Sequence, residues 1–404
     1  VNQPLPIDDF LPEITQALRD RGVVVVVAEP GAGKTTRVPP AVLNMLEESG
    51  DQGDVVLLQP RRVAARLSAQ RIADEQGCKL GGRVGYHVRF DKKVGPQTKL
   101  RVLTEGLLTR QLVSDPFLEK TSCVILDEFH ERSLDVDLAI AMLQEVREAG
   151  RDDLKIVVMS ATIDAEQVAA FFGGAPIVRV PGRTFPIEVS YQPTHGKPIW
   201  ETAASVVQGE ASTSGDASSG GGDTLVFMPG VFEISQAVSA LKATGDGLDV
   251  RALHGSMDLQ TQQAALAPAS SNRPRVIVST NIAETSLTID GVVCVIDSGL
   301  ARQSAFDPER GLNALNLVPI SQASADQRAG RAGRTAAGRC VRLWTKQEQH
   351  ARPAFEPPEV QRVDLSQTLL TLRAFGTPAP RNFAWFERPP EGAMGAAEQL
   401  LVQL

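Results

Sequence analysis

Short apolar runs punctuate the first part of the chain: Val23 to Ala28, Val55 to Leu58, Arg101 to Leu103, Cys123 to Leu126 and Ile156 to Met159, separated by stretches with helical spacing. Runs of this length alternating with helices predict a parallel sheet covered on both faces, since a strand buried on both sides loses the in–out alternation of a half-exposed one. Prolines and glycines gather between Pro181 and Pro198, and Pro181-Gly182-Arg183-Thr184 is a candidate hinge. A second series follows, with strands expected at Leu225 to Met228, Val250 to Leu253, Val276 to Ser279, Val292 to Ile296 and Cys340 to Trp344. The pattern predicts two α/β units in tandem. Gly209 to Asp223 is rich in Gly, Ser and Ala and is expected to be a solvated loop, while Ala305 to Pro319 reads as a β-hairpin around the turn Asp307 to Gly311. After Pro353 the alternation stops. Helices are expected over Val360 to Phe375 and from Gly392 onward, as the opening of a third domain, so the natural protein is expected to continue beyond Leu404.

Composition narrows the class. A chain of 404 residues, 42% hydrophobic and 22% charged, is long enough for two or three folding units and close to the globular average. The longest apolar run, Val23 to Ala28, falls far short of the ~18 residues a spanning helix needs. The cysteines Cys78, Cys123, Cys294 and Cys340 lie far apart without metal-ligand pairing, so packing residues of a reduced, cytoplasmic protein are expected. A net charge of -7 speaks against binding nucleic acid by bulk attraction. Positive charge is nonetheless concentrated locally, in four arginines between Gln59 and Arg71 and five between Ser321 and Arg342, which predicts a narrow basic cleft between acidic outer faces.

Candidate chemistry begins directly after the first apolar run. Ala28-Glu29-Pro30-Gly31-Ala32-Gly33-Lys34-Thr35-Thr36 has the strand, glycine loop and helix start of a phosphate-binding P-loop. Gly31 and Gly33 let backbone N–H groups converge on phosphate oxygens, with Ala32 and Thr36 in the same cradle. Lys34 suits the β- and γ-phosphates and the Thr35 hydroxyl a magnesium ion. The general pattern has glycine where this chain has Ala28. Asp127 and Glu128 then end the apolar run from Cys123, at the strand edge that faces the same crevice. Asp127 is placed to hold Mg²⁺ through its shell and Glu128 to polarise an attacking water. Each motif has a plainer reading as a glycine-rich turn or a solvated acidic turn; their co-occurrence argues against it.

With these residues in place, the chain resembles the DEAH/RHA branch of superfamily 2 helicases, in a bacterial form. Asp127-Glu128-Phe129-His130 is similar to the DEAH box. In order along the chain stand Gln59-Pro60-Arg61-Arg62-Val63-Ala64-Ala65, Thr104-Glu105-Gly106, Ser160-Ala161-Thr162, Leu225 to Gly230, Ser279 to Ser286 and Gln327-Arg328-Ala329-Gly330-Arg331-Ala332-Gly333-Arg334. The resemblance implies two RecA-like domains, residues 1–180 and 181–352, and a partial winged-helix region, 353–404. ATP would bind between the domains and draw them together. Arg331 and Arg334 would act as arginine fingers, expected to share one face of a helix with Gln327. Gln327 would help to position the attacking water.

The remaining roles are also implied by resemblance. Arg71 would stack on adenine and Asp290 would bind ribose. Where eukaryotic relatives offer a second, aromatic stacking residue this chain has Leu300, so ATP would be joined by other NTPs. His130, Ser160, Thr162 and Ser286 would couple the ATP and nucleic-acid sides, His130 through the second domain. Arg61, Arg62, Thr104, Thr280 and Asn281 would grip sugar-phosphate, a donor set without a base code. The hairpin would be a wedge at a duplex junction, and Gly85 to Phe90 would lie near the strand-binding face. The expected protein is a monomeric ATP-dependent helicase translocating on single-stranded RNA in preference to DNA, with no membrane partner. Two rivals share its motifs: an ATPase that remodels ribonucleoprotein without strand separation, and a binding scaffold switched by nucleotide.

Overall fold

The computed structural model describes residues 4–161, 165–182, 185–213, 222–243, 245, 247–268, 273–284, 289, 291–307, 310–334 and 336–403. The chain divides into two compact units, Val1–Gly182 with Ala305–Asn313 and Pro357–Leu404, and Arg183–Ser304 with Ala314–Glu356.

The first unit is built on β1 (Val23–Ala28), β2 (Asp54–Gln59), β3 (Val84–Val88), β4 (Asp91–Lys93), β5 (Leu100–Thr104), β6 (Thr121–Leu126), β7 (Lys155–Ser160) and β8 (Ile177–Val180). They form an eight-stranded sheet in the order β4-β3-β5-β2-β6-β7-β1-β8. All pairings given are parallel except β3 with β4. The period-two geometry of a strand splits each apolar run between two cores. Val24 and Val26 of β1 pack with the helices Leu11–Arg21, Lys34–Glu48 and Arg62–Glu75. Val23 and Val25 pack with Glu105–Ser114, Leu134–Glu148 and Ala165–Phe171. Strands β3, β4 and β8 were not expected: they are short, mixed in polarity and lie at or near the sheet edges, where periodicity is weak.

The second unit carries β9 (Ile187–Tyr191), β10 (Asp223–Phe227), β11 (Asp249–Leu253), β12 (Arg275–Ser279) and β13 (Val292–Asp297). A hairpin of β14 (Leu300–Asp307) and β15 (Leu312–Pro319), whose segment Ala305–Asn313 groups with the first unit, follows, and then β16 (Gly338–Arg342). Its six-stranded sheet has the order β11-β12-β10-β13-β16-β9, parallel throughout. The hairpin is longer than expected and forms a two-stranded sheet of its own, with Leu312, Leu315 and Leu317 exposed. The helix Ile199–Thr213 runs into the stretch from Gly209 expected to be a loop, and residues 214–221 of that stretch lie outside the described residues. Arg183 and Thr184 of the candidate hinge also lie outside them.

Residues 357–404 group with the first unit, where Leu372, Phe383 and Phe386 join one of its two cores. The helix expected from Val360 is shorter, Ser366–Phe375. The Asp364 carboxylate accepts from both the Ser366 amide (3.1 Å) and its hydroxyl (2.9 Å), a local turn that competes with helix, and only a 3-10 turn, Glu359–Gln361, precedes it. All four cysteines are free, and burial pushes the thiols of Cys123, Cys294 and Cys340 well up, which keeps them inert. No helix among the described residues is long and apolar enough to cross a membrane.

Candidate functional site

The glycine loop leaves β1 and enters the helix Lys34–Glu48 through two left-handed residues, Gly31 (φ 90°) and Gly33 (φ 94°). At Gly33 the requirement is also one of space: a Cβ there would lie 2.6 Å from Leu5 Cδ1 and 3.1 Å from Ile7 Cγ2. The Ile7 amide donates to the Ala32 carbonyl at 3.1 Å. Lys34 is 5% exposed, with its ammonium donating to the carbonyls of Ala28, at close range, and Glu29 at 3.3 Å. A buried cation held by backbone carbonyls at the mouth of a glycine loop is placed to meet an anion.

Asp127, 1% exposed, stands at the junction of three motifs. Its Oδ2 accepts from the Thr35 hydroxyl at 2.6 Å and from the Gln59 amide at 2.6 Å, and its Oδ1 from the Glu128 amide at 2.9 Å. Gln59 is a site residue that sequence reasoning missed, although its signal is plain: a polar residue at the end of an apolar strand, like Asp127. Burial first, and then the neighbouring Glu128 carboxylate, push the Asp127 carboxyl up; Thr35 and Lys34 oppose this. Glu128 itself is left-handed (φ 51°), and its carboxylate lies 3.5 Å from His130 Nδ1. That same nitrogen is 3.5 Å from the Ala161 amide, while His130 Nε2 and the Ser160 hydroxyl are buried without a hydrogen-bond partner among the described residues.

Sheet order explains this convergence. β7, which ends at Ser160, lies between β6, which leads to Asp127, and β1, which leads to the loop. On the other side of β6, Gln59 of β2 is in register with Thr104 of β5. Arg61 and the exposed Arg62 follow Gln59 at the same edge, Arg61 paired with Glu131 at 3.1 Å. Arg71 lies further along that helix, 69% exposed and bonded to Glu75 at 2.5 Å. Thr162, Ser286 and Asp290 lie outside the described residues.

In the second unit Thr280 and the exposed Asn281 follow β12, the Thr280 side chain capping the turn Asn281–Ala283. The arginine motif departs from expectation. The helix Gln322–Ala329 stops at Gly330, and the amides of Arg331 and Ala332 donate back three residues, so Gln327 is helical whereas Arg331 lies in a turn and Arg334 in a bend. Gly333, beyond the stop, has no room for a side chain: a Cβ there would meet Ile187 at 2.7 Å and the Phe185 carbonyl at 2.8 Å. Arg331 is buried and donates to the Glu284 carbonyl at 2.8 Å.

Sequence reasoning missed Arg328. It is 1% exposed, bonded to Glu284 at 2.8 Å and Asp297 at 2.9 Å, with its guanidinium 4.8 Å from the Phe227 ring centroid. Burial opposes its charge, yet Asp297 and Glu284 outweigh that and hold its pKa up. The basic stretches are therefore less basic than a residue count suggests: Arg61, Arg66, Arg71, Arg328, Arg339 and Arg342 all have carboxylate partners.

Comparison with known proteins fits this geometry. Residues 11–171 match the DEAD/DEAH box helicase model and residues 210–336 the helicase conserved C-terminal domain. The chain is 42% identical over 402 residues to ATP-dependent RNA helicase HrpB of Escherichia coli (strain K12), a match covering 99% of this chain and 49% of that protein. This chain belongs to the DEAD/DEAH box helicase family. It is also 37% identical over 417 residues to the probable ATP-dependent RNA helicase DHR2 of Saccharomyces cerevisiae, covering 100% of this chain and 56% of that protein. The crystal structure of the E. coli DEAH/RHA helicase HrpB superposes with a TM-score of 0.91 at 40% identity, over 99% of this chain and 50% of that one. The chain thus spans about half the length of relatives it matches. Its two sheets are tandem RecA-like helicase domains.

One helicase motif residue carries a prediction of its own. Glu105, which follows β5, is buried, and burial pushes its carboxyl up to about 8 although the Ser133 hydroxyl, donating at close range, works the other way. The folded state therefore keeps a proton that the unfolded chain releases above its ordinary pKa near 4.5, so this group's contribution to stability falls as pH rises toward 8. Glu105→Gln is expected to lessen that fall by about 1.4 kcal/mol per pH unit between pH 5 and 7, measured by urea denaturation at several pH values. Parallel pH profiles for wild type and variant would show that Glu105 is ionised in the folded state.

Proposed function

We propose that this chain is the motor of an ATP-dependent RNA helicase, hydrolysing ATP to translocate on single-stranded RNA and separate strands. The observation that carries this reading is the junction at Asp127, where the P-loop hydroxyl of Thr35 and the Gln59 amide meet one buried carboxylate beside Lys34. Gly31, Ala32, Gly33, Lys34, Thr35 and Thr36 cradle the phosphates, Arg71 and Asp290 take the base and ribose, and NTPs other than ATP are accepted.

The donor set fits magnesium. Thr35 and Asp127 offer hard oxygens, and the upward pull on the Asp127 carboxyl marks a buried charge that a cation would relieve. No group of three or more His, Cys, Asp and Glu among the described residues could hold a metal without the nucleotide's own oxygens. Magnesium, when bound with nucleotide, supplies charge neutralisation at the β- and γ-phosphates. Glu128 takes the proton of the attacking water, Gln327 orients that water, and Arg331 and Arg334 stabilise charge on the transferring phosphoryl group.

Arg61, Arg62, Thr104, Thr280 and Asn281 hold the sugar-phosphate backbone of RNA, so affinity is expected to be independent of base sequence. His130, Ser160, Thr162 and Ser286 couple that grip to hydrolysis. We assign residues 1–180 and 181–352 to the two motor domains and 353–404 to the beginning of a winged-helix region, in a cytoplasmic, monomeric protein. ATP hydrolysis measured without nucleic acid, with single-stranded RNA and with single-stranded DNA tests the reading. RNA is expected to stimulate turnover severalfold and more than DNA. Stimulation by neither would instead favour a nucleotide-switched scaffold.

A further inference from the structure

We propose that Arg132 is a positioning residue for the water-activating carboxylate of Glu128, and that it is held to this task by Phe386 and Glu387 of the C-terminal segment. The inference rests on the assignment of Glu128 given above.

Glu128 and Arg132 bracket a single 3-10 turn, Phe129–Glu131, and both are left-handed (φ 51° and 47°), a conformation unfavourable for residues other than glycine. Such backbone persists only where its surroundings enforce it. On the Glu128 side the residue's own amide donates to Asp127 Oδ1 at 2.9 Å. At the far end the fixing agent is Arg132. Its guanidinium forms a fork on Asp137, at 2.7 and 2.9 Å, and its Nη2 also donates to Glu387 at 2.8 Å. The same guanidinium lies 4.7 Å from the Phe386 ring centroid, and the Arg132 carbonyl accepts from the Glu359 amide at 3.0 Å. Phe386 in turn meets Phe129, inside the turn itself, edge to face at 5.3 Å. Beside the nearer contacts of Glu131 with Arg61 and of His130 with the Ala161 amide, the turn and the residue that closes it are met by Phe386, Glu387 and Glu359, so residues more than two hundred positions away in sequence help to shape the acidic box.

A planar fork with a flat face is needed here, since three hydrogen bonds and a ring contact fix the guanidinium in orientation as well as position. Rotation at Arg132 would tilt the turn and carry Glu128 with it, and small displacements of a catalytic group are costly.

Steady-state ATP hydrolysis with saturating single-stranded RNA tests this in Arg132→Lys, Phe386→Leu and Glu387→Ala, beside Glu387→Gln, which keeps an acceptor for Nη2. The first three are expected to lose about tenfold in kcat with the KM for ATP within twofold of wild type, and Glu387→Gln to recover most of the rate. Glu387 is part-exposed, so Glu387→Ala gives a folded variant even where Arg132→Lys does not. Wild-type kcat in Glu387→Ala, or kcat and KM worsening together in step with a lowered Tm, would overturn the proposal. Glu128→Gln in the same series separates the two ideas: unimpaired turnover there removes the assignment of Glu128, and with it this proposal, whereas lost turnover there with wild-type rates in the other variants removes the positioning role alone.

Discussion

Glu128→Gln is expected to lower ATP turnover by about 10² to 10⁴ while nucleotide binding stays intact. The substitution is nearly isosteric, so the Glu128 amide still reaches Asp127 Oδ1 and the left-handed turn is undisturbed. What it removes is the basicity that accepts a proton from water. The neighbouring Asp127 does not replace it: that carboxylate is already engaged by Thr35, Gln59 and a backbone amide. Single-turnover hydrolysis and a fluorescent-nucleotide titration on the same preparation measure the two effects separately. Turnover within threefold of wild type would sink the assignment of the base.

Arg328→Met is expected to destabilise the second unit by about 3 to 5 kcal/mol. Arg328 is fully enclosed, and its loss leaves Asp297, with no exposed surface, and Glu284 without their shared cation. An unpaired buried carboxylate costs more than the pair contributes, so the double substitution Arg328→Met with Glu284→Gln is expected to recover part of the loss. Chemical denaturation of both variants decides this. A change below about 1 kcal/mol in the single variant would mean that water or a rearranged neighbour takes over the guanidinium's role.

The contrast between Arg328 and Arg331 shows where reading the chain stopped. Both are arginines of one motif, three residues apart, and nothing local singles out Arg328 as the one held by two carboxylates. The difference lies in Asp297 and Phe227, which end strands flanking each other in the sheet and are distant in sequence. Central strands were legible because β1, β2, β6 and β7 are continuous apolar runs buried on both faces, and the P-loop and acidic pair were legible because they end such runs. Edge strands such as β9, with little apolar surface to bury, left no such trace. The helical spacing expected for Arg331 and Arg334 failed because the helix ends at Ala329, and the close approach of Ile187 to Gly333 beyond it is a tertiary contact that the local spacing does not announce. Arg132 escaped notice for the same reason, its partners Phe386 and Glu387 lying near the other end of the chain.

The packing of Leu5 and Ile7 on Gly33 has a practical consequence for anyone preparing this protein. The helicase family model begins at residue 11, and an expression boundary drawn there would delete the two side chains that close over the phosphate loop, together with the Ile7 amide that holds Ala32. It would also remove Asp8, which lies 3.5 Å from Arg37 in the helix that the loop opens. A trimmed version would keep every recognisable motif and still present a loosened nucleotide cradle, so affinity measured on it would understate that of the longer chain.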